Sequence, residues 1–167
     1  MKRSFMQGGG VIGKYVDRIG QTMKVLWVED HARAAELLVA AGAAASRKRL
    51  GIDLVVANSL LDAEGKLRRE RFDLVVADLF LPDSADEDVT VTRLANMGAF
   101  RVAVVSASER RQEVVDSLLK AGVDCCPTAI GKEDLLLADF VHEPETFRAF
   151  IDRLMSEQSL NDARKVS

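Results

Sequence analysis

Cysteine is scarce in this chain, long apolar runs are missing, and neither charge is in large excess. Its two cysteines, Cys125 and Cys126, stand side by side. Neighbouring thiols rarely close a disulfide, and two ligands do not make a zinc site. They read instead as small apolar residues buried in a strand. No apolar run approaches the roughly 18 residues that a membrane-spanning helix needs. The opening MKRSFMQGGG carries charge but no apolar stretch behind it, so no secretory leader is expected. The expected compartment is the cytoplasm, with no membrane partner. Lysine and arginine total 23 against 26 acidic residues, a net charge of −3. That balance provides no basic face for nucleic acid. The two histidines, His31 and His142, are isolated from any ligand cluster.

What is present is a core. Of the 167 residues 48% are apolar, enough for one ordinary domain and too few for two. Residues 1–22 differ from the rest and read as an N-terminal extension, with a short helix over 11–19. From there short valine-rich runs recur at 25–28, 54–57, 74–77 and 102–105, with a weaker one at 123–128. Continuous rather than alternating apolar character predicts strands buried on both faces, as in a parallel sheet. Helical patterns lie between them. The first spans 31–45, with Gly42 bending or ending it. The second spans 60–69 and is capped by Ser59. The third spans 86–97, with acids in its first turn and Gly98 beyond it. The fourth spans 109–121, capped by Ser108 and closed by Gly122. A short apolar stretch at 134–140 precedes a last helix that starts at Pro144 and runs to about Ser156. Strand and helix alternating five times predict an α/β fold: a doubly wound, five-stranded parallel sheet flanked by helices over 23–156, then a polar tail at 157–167. Trp27 is expected in the core.

In such a sheet ligands bind beyond the carboxyl ends of the strands. The first strand ends in Glu29-Asp30, the third in Asp78 and the fourth in Ser106. Three carboxylates brought together there repel one another unless a cation joins them. An all-oxygen acidic site favours a hard ion, and Mg²⁺ fits best. A carboxylate beside Mg²⁺ can attack a phosphoryl group, and a nearby hydroxyl can bond a phosphoryl oxygen. Glu29 and Asp30 have a second reading, as caps of the first helix.

VLWVEDH at 25–31, DLVVADLFLPD at 73–83 and VAVVSAS at 102–108 together resemble the receiver domains of response regulators. The resemblance spans 23–156 and rests on the combination: the acid pair, a strand-end aspartate followed four residues later by Pro82, and Ser106-Ala107. It implies a phosphoacceptor at Asp78. It also implies Mg²⁺ on Asp30, Asp78 and the backbone carbonyl of Phe80, with Glu29 acting mostly through water. Ser106 takes the place of the switch hydroxyl. The implied donor is a phosphohistidine on a sensor histidine kinase or a histidine phosphotransfer protein. The implied output surface is the fourth helix, fifth strand and fifth helix, presented to a downstream protein.

The chain departs from that family on one side. No lysine stands at the end of the expected fifth strand. Lys132, about three residues late, is the nearest candidate, and it either folds back to the pocket or sits on the surface at a helix start. The strand also lacks the family's aromatic, with Cys126 near its place. The acidic stretch 85–88 replaces a glycine before the third helix, and Pro127 suggests an edge strand or a bulge. Three functions compete. The first is a phosphorylated receiver with no fused output module, not an enzyme beyond its own phosphorylation and dephosphorylation. The second is a pseudo-receiver that binds partners without phosphate control. The third is a phosphatase of the haloacid dehalogenase kind. That chemistry wants a second aspartate two residues after the first, where Phe80 stands, and a flavodoxin would need a Ser/Thr/Gly-rich loop after the first strand. GGGVIGKY at 8–15 lacks both the hydroxyl and the preceding strand of a phosphate loop. The apolar residues Leu135, Leu136, Leu137, Phe140, Phe147 and Phe150 are either core or the face of a homodimer.

Overall fold

A computed structural model describes residues 22–158. The expected helix over 11–19 and most of the polar tail lie outside the described residues. Five strands, β1 (Met23–Val28), β2 (Ile52–Ala57), β3 (Leu74–Ala77), β4 (Arg101–Ser106) and β5 (Ile130–Gly131), pair in parallel in the order β2-β1-β3-β4-β5. Six α-helices accompany them: α1 (Ala32–Arg47), α2 (Leu60–Arg69), α3 (Glu87–Ala95), α4 (Arg111–Lys120), α5 (Leu137–His142) and α6 (Pro144–Ser156). This is the doubly wound α/β sheet that the pattern predicts.

Alternate residues of each strand feed two cores, one on each face. Leu26, Val28, Val75, Ala77, Val102 and Val104 meet α2, α3 and α4 through Leu60, Leu67, Leu94 and Val115. Val25, Trp27, Leu74, Val76, Ala103 and Val105 meet α1, α5 and α6 through Leu38, Phe140, Phe147 and Ile151. Burying both faces explains the continuous apolar runs within the strands, while Lys24, Asp53 and Arg101 stand at or near strand starts. Trp27 is 2% exposed, so its expected place in the core holds.

Several boundaries shift for local reasons. Gly42 does not end α1, which continues to Arg47. A side chain at 42 would press on Leu54 Cβ at 3.1 Å, so the glycine lets α1 lie close against β2. Ser59 caps α2 as expected, its side chain accepting from Asp62 N–H at 3.0 Å. Asp83 adds a second cap from outside the helix, accepting from the N–H groups of Leu60 and Leu61 at 2.8 Å each. Asp86 caps α3 and does not belong to it. Ser108 is not the cap residue of α4, which starts only at Arg111. It stabilises the turn before it, Oγ accepting from Arg110 N–H at 3.0 Å. Gly122 ends that helix at φ +83.

The largest correction concerns β5. The expected strand at 123–128 is irregular, with a single bridge between Val102 and Cys125. Pairing resumes only at Ile130 and Gly131, opposite Val105 and Ser106. The two cysteines are free and buried as expected, one in each core. The apolar stretch after β5 becomes a 3₁₀ turn (Lys132–Asp134) and α5, an additional helix ahead of the expected fifth one, which is α6. Phe140 and Phe147 are buried, and Leu135, Leu137 and Phe150 pack on the same core. Phe140 and Phe147 are therefore core, Leu135, Leu137 and Phe150 are partly buried against it, and Leu136 is 67% exposed.

Candidate functional site

Parallel register brings the chemistry together. Val28 pairs with Ala77, and Ala77 with Val104, so Glu29 and Asp78 leave adjacent strands side by side. Glu29 and Asp78 are 2% and 3% exposed, while Asp30 is open to solvent. Each of Glu29, Asp30 and Asp78 offers an oxygen, and the three lie within 4.8 Å of one another.

Asp78 is held at both oxygens. Ser106, fully buried at the end of β4, donates from Oγ to Oδ1 at 2.9 Å. The backbone N–H of Phe80 donates to the same oxygen at 3.1 Å. Lys132 donates from Nζ to Oδ2 at 2.7 Å, and also to Glu29 Oε2 at 2.9 Å. Burial works against that ammonium. Its hydrogen bonds to Asp78 and Glu29 outweigh the loss of water and hold it above the ordinary lysine value of 10.5. Of the two readings of Lys132, the folded-back one is what the structure has. The lysine is not late, because the strand is: it immediately follows Gly131, the residue paired with Ser106.

Glu29 accepts from the N–H of His31 at 3.0 Å. His31 is the N-cap of α1, without a side-chain cap bond, so Glu29 orders the helix entry while facing the pocket. Both readings of Glu29 thus have a geometric basis. Phe80 is half exposed beside the pocket.

The donor set suits a hard divalent ion. One ammonium stands against three carboxylates, which leaves net negative charge in a largely buried oxygen cluster. Sequence reasoning missed how the residues around this pocket pair. Ser108 Oγ is hydrogen-bonded to Glu87. Arg110 reaches Asp88 at 3.2 Å, and Arg111 reaches Glu133 at 3.2 Å. Acids and arginines so far apart in sequence gave no signal of pairing.

No protein-family model matches the chain, and no curated protein matches it in sequence. Solved structures do match its shape. The non-phosphorylated HemR receiver domain from Leptospira biflexa superposes with a TM-score of 0.57 at 22% identity, over 83% of this chain and 98% of that one. A response regulator from Thermotoga maritima gives 0.51 at 23%, over 77% and 98%. The CheX-CheY-BeF3-Mg²⁺ complex from Borrelia burgdorferi gives 0.54 at 20%, over 77% and 90%. The class is therefore the doubly wound α/β domain with its site at the strand ends. Within that class, the chain has the CheY-like fold of response-regulator receiver domains. Among the described residues no helix is long and apolar enough to cross a membrane.

Proposed function

We propose that this protein is a phosphorylatable receiver: Asp78 accepts a phosphoryl group from a phosphohistidine of a sensor kinase or phosphotransfer protein, and the product signals by binding another protein. The observation that carries this reading is the set of contacts on Asp78. A buried strand-end carboxylate has a hydroxyl on one oxygen, an ammonium on the other, and two further carboxylates beside it. Glu29, Asp30 and Asp78, with the carbonyl of Phe80, would hold Mg²⁺, which when bound supplies positive charge against the transferred phosphoryl oxygens. An Asp78 oxygen is the attacking atom. Ser106 and Lys132 already point at this carboxylate and would follow the incoming phosphoryl oxygens. The cytoplasm is the compartment where such a donor would meet it.

The pseudo-receiver alternative drew its support from a missing lysine and a missing aromatic; the contacts of Lys132 weaken the first argument, and the second stands. The two are separated by incubation with acetyl phosphate and Mg²⁺, read by intact mass. One phosphoryl adduct is expected on the wild type and none on Asp78→Asn. Absence of an adduct on the wild type, under conditions that label an ordinary receiver, would overturn the proposal in favour of the pseudo-receiver. Millimolar Mg²⁺ affinity is the companion expectation.

A further inference from the structure

Two side-chain donors reach Asp78 from different parts of the chain, and one arginine joins them from outside. Arg111 is the first residue of α4. Its Nη1 donates to the carbonyl of Ser108 at 3.0 Å and its Nη2 to Glu133 Oε1 at 3.2 Å. Ser108 belongs to the segment that carries the hydroxyl: its N–H donates to Ser106 Oγ at 3.2 Å, and Ser106 Oγ donates to Asp78. Glu133 belongs to the turn that carries the ammonium, directly after Lys132. The path from Asp78 through Ser106, Ser108, Arg111, Glu133 and Lys132 returns to Asp78. The ring closes through contacts and one peptide bond.

Gly131 makes room for it. A methyl group there would crowd the Glu133 carboxylate and come within 2.8 Å of Arg111 Nη2. The backbone at 131 is ordinary, with φ −77, so glycine is not needed for conformation. It leaves room for the arginine–glutamate pair beside β5; a methyl group would displace the ends of these two flexible side chains, not the backbone. A guanidinium suits the task because its fork is planar and serves two acceptors at a fixed angle, which a lysine ammonium does not do.

We propose that Arg111 is a positioning residue that couples the two side-chain donors of Asp78, so that Ser106 and Lys132 are aligned as a unit. The chemical consequence rests on the reading of Asp78 as phosphoacceptor; the coupling itself does not. The test disturbs one arm and reads the other. Glu133→Ala and Gly131→Ala alter the lysine arm, and amide exchange at Ser108 is expected to rise several-fold, with no change at Val104 in the sheet. Ser108→Ala keeps the backbone contacts of the ring but removes the Oγ bonds to Glu87 and to the N–H of Arg110 that order this turn, and competitive acetylation of Lys132, read by mass spectrometry, is expected to rise several-fold over that of Lys120. Arg111→Lys is expected to behave as Arg111→Gln, since charge without the fork does not bridge.

A second measurement reads the chemistry. Acetyl phosphate passes its phosphoryl group to an Asp78 oxygen as its P–O bond to acetate breaks and acetate leaves. With Arg111→Gln or Gly131→Ala this rate is expected to fall several-fold, while the Mg²⁺ concentration for half-maximal labelling does not rise. Disturbances confined to their own arm would overturn the coupling. So would a loss of rate that comes with equal losses of Mg²⁺ affinity and thermal stability. A wild type that takes no phosphoryl group overturns the Asp78 reading alone, and the arm-to-arm measurements still decide the coupling.

Discussion

The pocket has two flanks built in different ways. The inner flank, Glu29, Asp30 and Asp78, follows β1 and β3, strands paired on both sides in the middle of the sheet. The outer flank, Lys132, follows an edge strand of two residues reached through an irregular segment. On the inner flank register alone decides where a side chain lands. On the outer flank the ladder is too short for that, and packing behind it takes over: Phe140, Phe147 and Phe150 cluster with Trp27, ring centroids 4.9 to 6.4 Å apart. The lysine thus follows only two ladder residues, with an aromatic core on that face of the sheet and two carboxylates at its ammonium.

The strongest way to break that comparison is to remove the packing. Phe147 is fully buried at the centre of the cluster. Phe147→Ala is expected to cost about 3–5 kcal/mol in urea unfolding, the usual range for a deleted core aromatic. A loss below about 1 kcal/mol would mean that the ladder, not the aromatics, holds the outer flank.

A smaller effect tests the charge. Lys132→Met leaves Glu29 and Asp78 buried, adjacent and without their cation. Breaking a buried pair this way costs about 3–5 kcal/mol when fully enclosed; with the lysine side chain 29% exposed, about 2 kcal/mol is expected in Mg²⁺-free buffer. Millimolar Mg²⁺ should restore most of it, because an ion bound only by the fold stabilises the fold. Asp78→Asn, which relieves repulsion, should change stability by less than about 1 kcal/mol. The pH dependence follows from the raised value of Lys132: its contribution is complete below the ordinary lysine value and is lost as pH climbs through the folded one. Equal stability of Lys132→Met and wild type without Mg²⁺ would remove the lysine from this role.

The same division explains what was legible in the sequence. The first four strands could be read because buried strands carry continuous apolar runs, and 25–28, 54–57, 74–77 and 102–105 all lie within observed strands, the edge strand β2 included. Asp78, Glu29, Asp30 and Ser106 then followed from strand ends alone. The fifth strand misled because Val123 and the two cysteines look more strand-like than Ala129-Ile130-Gly131, and only pairing with β4, distant in sequence, selects the latter. Lys132 was therefore named but left without a place. The helix α5 has six residues, too short for a period to emerge. The ring through Arg111 was invisible, since nothing local marks a residue 22 positions from its partner.

The smallest expected effect asks whether the irregular segment before β5 is also a loose one. Cys125 and Cys126 lie in it, one in each core, and burial raises both thiols, Cys125 to about 12. At pH 8 neither is then a thiolate, and a thiol–disulfide reagent should react with neither in the native protein and with both in urea. The fold keeps protons that the unfolded chain releases near the ordinary thiol value. Stability is therefore unaffected at neutral pH and declines only as pH rises past about 9. One rapidly reacting thiol at pH 8 would show that 123–129 opens at far lower free energy than the sheet. The outer flank would then be a mobile element whose lysine is recruited to Asp78, and the contrast between the flanks would be one of dynamics as well as construction.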